Sequence, residues 1–200
     1  MEYVIGIDLG TSGTKTVLFN REGQVVASAT VEYPMYQERN GWAEQEPLDW
    51  WNAACQTLGA VLEKSGVDAG DIKGVGISGQ MHGLVMLDKE GKVLRRSIIW
   101  CDQRTAAQCE EITQRVGKER LIEITANPAL TGFTASKILW VREHQPELYA
   151  QCAHILLPKD YVRYMLTGEF ATEVSDASGM QLLDVPHRCW SQEVLEKLDI

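Results

Sequence analysis

Ile5-Gly6-Ile7-Asp8-Leu9-Gly10-Thr11-Ser12-Gly13-Thr14-Lys15-Thr16 reads as strand, tight turn and strand. Apolar residues run to a carboxylate, Asp8, at the end of the first strand, and glycines, hydroxyls and a lysine follow at once. That order suits phosphate chemistry. Glycines let backbone N–H groups approach an anion, hydroxyls add donors, and a fixed carboxylate holds a hydrated Mg2+ through its waters. A P-loop is excluded, because only Thr11 and Ser12 separate Gly10 from Gly13 and the chain continues into another strand, Lys15 to Asn20, instead of a helix. The plainer alternative is an ordinary glycine-rich hairpin with a solvated Asp8.

The 200 residues, 44% of them apolar, suffice for one sizeable core and one domain. The net charge of −9 arises from 28 acids against 19 Lys and Arg without a basic run, which argues against nucleic acid or an anionic membrane as partner. Cys55, Cys101, Cys109, Cys152 and Cys189 form no C-x-x-C pair. Scattered and odd in number, they suggest reduced thiols and a cytoplasmic location. No signal peptide and no bilayer-length apolar run are evident.

Outward from the hairpin, residues 24–31 form a third antiparallel strand, and residues 34–45 are irregular and carry Trp42. Glu46-Pro47 opens a helix on which Trp51, Ala54, Cys55, Leu58, Val61 and Leu62 share the apolar face, until Ser65-Gly66 stops it. Trp50 and Trp51 read as core packing before sugar stacking. Residues 71–78 are a strand. Within it Gly74-Val75-Gly76-Ile77-Ser78-Gly79 matches the dinucleotide fingerprint by letter, but these glycines lie inside the strand and open no helix, so that reading is rejected.

Gly79-Gln80-Met81-His82-Gly83 lies between two strands, where ligands of α/β sheets sit, and offers an amide and an imidazole; a tight turn with a solvated His82 fits equally. Residues 97–100 form a strand ending at Asp102 and Arg104, which pair or cap the helix of residues 105–116. Thr134 caps a helix bearing Ile138, Leu139, Trp140 and Val141, and His144 ends it as a structural residue. Residues 155–157 are a strand, Pro158 opens a helix to Leu166, and residues 192–198 form the last helix. Residues 175–180 make a polar turn that lines a pocket or caps a helix. Asn20-Arg21-Glu22-Gly23 and Asp88-Lys89-Glu90-Gly91 read as matching hairpin turns.

Together these stretches resemble the FGGY carbohydrate kinases, the glycerol kinase and xylulokinase group of the actin, hexokinase and Hsp70 superfamily. The likeness rests on residues 6–13, on Trp42-Ala43-Glu44-Gln45-Glu46-Pro47 with Trp50-Trp51, and on residues 132–144, which are similar to the group's N-terminal signature. Residues 79–83, 100–104, 157–161 and 175–179 look most like the xylulose-phosphorylating members. Glycerol is disfavoured, because Met81-His82 stands where glycerol-specific members carry Arg-Glu. The resemblance implies an α/β, ribonuclease H-like (actin-like ATPase) domain with a mixed sheet, early antiparallel hairpins and flanking helices.

By the same resemblance, residues 1–200 are the N-terminal, sugar-binding lobe, and a C-terminal ATP-binding lobe carries the general-base Asp. The implied reaction is ATP-dependent phosphorylation of D-xylulose to D-xylulose 5-phosphate. Gln80, Met81, His82 and Asp102 would bind the ketose, Asp8 would support Mg2+ and catalysis, and Gly10, Thr11, Ser12, Gly13 and Lys15 would line the ATP phosphate path. A homodimer is the usual assembly in that group. The rivals are a ribulose, gluconate or other sugar-acid kinase, a non-enzymatic actin-like or Hsp70-like nucleotide switch, and a folded lobe without function of its own.

Overall fold

The computed structural model describes residues 2–200. The first elements are β1 (Tyr3–Leu9), β2 (Gly13–Asn20), β3 (Val25–Glu32), β4 (Glu44–Gln45), α1 (Pro47–Ser65) and β5 (Ile72–Gly79). There follow β6 (Val85–Leu87), β7 (Ser97–Ile98), α2 (Ala106–Val116), α3 (Lys118–Thr125), α4 (Thr134–His144) and α5 (Pro146–Tyr149). The remainder comprises β8 (His154–Leu156), α6 (Pro158–Thr167), α7 (Val174–Ala177), β9 (Leu183–Asp184), β10 (Cys189–Trp190) and α8 (Gln192–Leu198). The chain divides into two compact units, each assembled from three segments. The expected single core is therefore two, because the chain leaves and re-enters each unit and closes a separate apolar interior in each.

Unit one holds residues 2–35, 46–80 and 158–169. Its sheet runs β3-β2-β1-β5, antiparallel across the first three strands and parallel between β1 and β5. Ile5, Ile7 and Leu9 are buried while Val4 and Asp8 on the opposite face are exposed, the period-two alternation of a half-covered strand. Ile5, Ile7, Leu18 and Ala27 meet Val61 of α1 to form this core. Pro47 at the first helical position and Gly66 at φ 64° bound α1 as its sequence suggests.

The buried face of α1 is rotated from the expected one: Trp50, Ala53, Ala54, Thr57 and Val61 are inside, whereas Cys55 is exposed and Trp51 only half-buried. Thr57 is the reason, since its hydroxyl bonds Thr16 at 2.7 Å and a polar residue becomes a core residue. The glycines of the false dinucleotide motif lie within or end β5, and no helix follows them.

Unit two holds residues 36–45, 81–157 and 170–200. Two small antiparallel pairs, β4 with β7 and β6 with β8, stand beside helices whose common interior includes Leu84, Met86, Ile98, Ile112, Leu139 and Leu198. Thr134 is the first residue of α4 and not its cap; Phe133 takes that place, with no side-chain bond to the helix end. Residues 134–141 are all buried, so α4 is enclosed on every side and lacks the single apolar stripe expected of it. Residues 118–125, unassigned from sequence, form α3, and the polar stretch at 174–180 is helical instead of a plain turn. Trp100 lies in a turn after β7 and is 39% exposed.

Candidate functional site

In unit one the hairpin is braced from below. The Gly10 N–H donates to the Gly13 carbonyl at 3.0 Å, and the Tyr33 hydroxyl donates to the Gly10 carbonyl. Burial pushes the Tyr33 phenol up to about 12, so it stays protonated and remains a donor. A Cβ at Gly13 would lie 2.7 Å from the Val31 carbonyl oxygen, so β3 approaches too closely for any side chain. Asp8 sits one residue inside the end of β1, opposite Lys15 on β2 and beside Ser78 on β5. Asp8 and Lys15 are exposed on the sheet face that α1 leaves open, over a depression of about 420 Å³ that Gly6, Phe19 and Gly76 also line.

Among the described residues, no group of three or more His, Cys, Asp or Glu could hold a metal ion. A lone exposed carboxylate fits a Mg2+ held through its water shell better than an all-protein cage. The Gln80 N–H closes the far side by donating to the Leu9 carbonyl at 2.7 Å.

In unit two the next residues of the loop diverge. Met81 is 47% exposed, whereas His82 is half-buried at φ 61°. Its carbonyl accepts from Lys137 Nζ at 2.7 Å and Thr134 Oγ1 at 3.1 Å, and its ring stands edge-on to Phe133 with centroids 4.6 Å apart. A Cβ on Gly179 would fall 1.9 Å from the imidazole Cε1, so the ring occupies space only glycine leaves. Burial, then the Lys137 charge, holds the imidazole down to about 4. His82 is therefore a neutral imidazole able to donate from one nitrogen and accept at the other.

Asp102, expected from the resemblance to touch the ketose, is held by protein groups. It is fully buried; Oδ2 accepts from the Ala43 N–H at 2.6 Å and from Arg104 Nη2 at 2.7 Å, while Oδ1 accepts from the Arg104 N–H at 2.9 Å. Arg104 in turn reaches Glu44 at 2.7 Å and lies over the rings of Trp42 and Trp140. The pairing read for Asp102 and Arg104 holds, and the carboxylate is a strut with its acceptors occupied. Around His82, sequence reasoning gave Thr134 only as a helix cap and singled out neither Lys137 nor Gly179; Lys137, fully buried, was concealed because lysine patterns as solvent-facing.

Residues 3–200 match the N-terminal domain of the FGGY family of carbohydrate kinases. The chain belongs to that family. It is 48% identical over 200 residues to xylulose kinase of Bacillus subtilis (strain 168), covering 100% of this chain and 40% of the relative. Over 196 residues it is 44% identical to xylulose kinase of Escherichia coli (strain K12), covering 98% of this chain and 40% of that protein. A crystal structure described as a xyloylose kinase from Brucella ovis superposes with a TM-score of 0.94 at 37% identity, covering 100% of this chain and 41% of that one. The chain thus spans about 40% of the length of the curated relatives it matches.

This FGGY chain has the mixed α/β, actin-like ATPase fold of its structural neighbours. The phosphate-type hairpin lies wholly in unit one, and the Met81-His82 pair, Asp102 and the signature helix α4 lie in unit two. Among the described residues, no helix is long and apolar enough to cross a membrane.

Proposed function

We propose that this FGGY chain is the sugar-binding lobe of a kinase that transfers the γ-phosphoryl group of ATP to the 5-hydroxyl of D-xylulose. The observation that carries the reading is the neutral His82, held at φ 61° beside exposed Met81, in a chain of the FGGY carbohydrate kinase family. Relatives named xylulose kinase support the choice of ketose. Met81 and His82 touch the sugar, and Gln80 holds the start of the loop through its backbone. Gly10, Thr11, Ser12, Gly13 and Lys15 face the nucleotide phosphates.

Asp8 would hold a hydrated Mg2+ through its water shell, and the ion would supply charge neutralisation for phosphoryl transfer. The general base lies outside these residues, and the protein works in the cytoplasm. A coupled assay on the full-length gene product, with a panel of ketoses and aldonates, tests the reading. D-xylulose is expected to have the highest kcat/KM; a preference for gluconate or ribulose would overturn the named substrate, and phosphorylation of no sugar would overturn the reaction.

A further inference from the structure

His82 holds a backbone conformation that non-glycine residues rarely adopt, at φ 61°. Such strain persists only where the surroundings over-determine it. Here they do. The carbonyl of this one residue takes both the Lys137 ammonium and the Thr134 hydroxyl, from the first turn of α4, at 2.7 and 3.1 Å. The same ammonium reaches the Gly132 carbonyl at 2.8 Å, and a Cβ on Gly132 would meet the Trp100 carbonyl at 2.8 Å. One cation therefore ties the His82 loop to the loop ahead of α4, beside the turn that carries Trp100.

Lys137 has no solvent access, and the His82 and Gly132 carbonyls take the place of water around its ammonium. Beyond the carbonyl, Phe133 and Gly179 wall the ring, and Nδ1 is buried without a hydrogen-bond partner.

We propose that Lys137 and Thr134 are positioning residues for sugar recognition, clamping the His82 carbonyl so that the left-handed backbone aims the imidazole at the ketose. The proposal rests on the reading of His82 as a ketose contact, and a double-mutant cycle on the full-length gene product tests it. Lys137→Met and Thr134→Val are each combined with His82→Ala, and D-xylulose and ATP affinities are measured by calorimetry.

Loss of aim by a fraction of an ångström to an ångström weakens D-xylulose binding between about tenfold and a hundredfold in each single variant. ATP affinity stays unchanged, and no further loss appears in the His82→Ala background. Thr134→Ser keeps the hydroxyl and restores binding to near wild type. Equal losses with and without His82, or no recovery in Thr134→Ser, overturn the proposal.

Should Lys137→Met fail to fold, Thr134→Val carries the cycle alone, since it keeps the buried charge in place. If His82→Ala itself binds D-xylulose as tightly as wild type, the ketose reading has failed. The clamp is then judged by NMR titration of the His82 imidazole in Thr134→Val. A rise from about 4 toward the ordinary value supports it, and an unmoved titration overturns it.

Discussion

Single residues decide what this chain offers a ligand, and His82 and Asp102 show it in opposite ways. Both were readable as polar residues at strand ends, but pattern cannot say whether a polar group is free. Asp102 has its oxygens filled by Arg104 and the Ala43 N–H, so Asp102→Asn is expected to disturb the Trp42–Arg104–Trp140 stack and to destabilise the fold. Denaturant melting checks this, and an unchanged midpoint with weakened sugar binding would return Asp102 to the site. His82 carries a pH signature. Its folded pKa lies at about 4 against 6.5 in a free chain, so between these values the unfolded state takes up a proton that the folded state refuses. Stability from this group is full above pH 6.5 and is lost as pH falls toward 4. Thermal melts across that range should fall less steeply in His82→Gln, and parallel curves would show that other groups set the acid limb.

At the scale of elements, the hairpin was the most legible part, because strand alternation, turn glycines and the following β-branched run agree with one another. The twin polar turns were legible for a similar local reason. Asn20 Oδ1 accepts from the Glu22 and Gln24 N–H groups, and Asp88 Oδ1 accepts from those of Glu90 and Lys92, so one side-chain device builds both. The helices α1, α2, α4, α6 and α8 were legible in extent and α3, α5 and α7 were not, and orientation was not legible where it could be checked. The inner face of α1 is set by a hydroxyl pair, and α4 is buried all round with a lysine inside, so apolar periodicity could not report either. Those are tertiary facts, carried by partners distant in sequence. The hairpin itself yields a prediction: Gly13→Ala forces a Cβ against the Val31 carbonyl and should cost about 1–3 kcal/mol, read from chemical denaturation. A loss below the error of the measurement would show that β3 yields instead.

Across the whole molecule, the hairpin with Asp8 and the His82 loop belong to different compact units, although only Gln80 and Met81 separate the end of β5 from His82 in sequence. The division was not legible, since no linker or change of composition marks it; the chain passes from unit to unit at residues as ordinary as Gln80 and Leu157. What each unit presents is chemically distinct: an exposed carboxylate and lysine flank a phosphate-type turn in one, and a neutral imidazole stands beside an exposed thioether in the other. On the proposed function, the carboxylate that takes the proton of the sugar hydroxyl lies outside these residues. Asp8 faces the phosphate turn, and Asp102 is consumed by Arg104. General-base catalysis needs such a group within hydrogen-bond reach of the hydroxyl. The 200-residue chain by itself should therefore give no D-xylulose- and ATP-dependent ADP release above a protein-free blank, while the full-length gene product turns over. Turnover by the isolated chain would place the base among these residues, and Asp8 would be the first to replace.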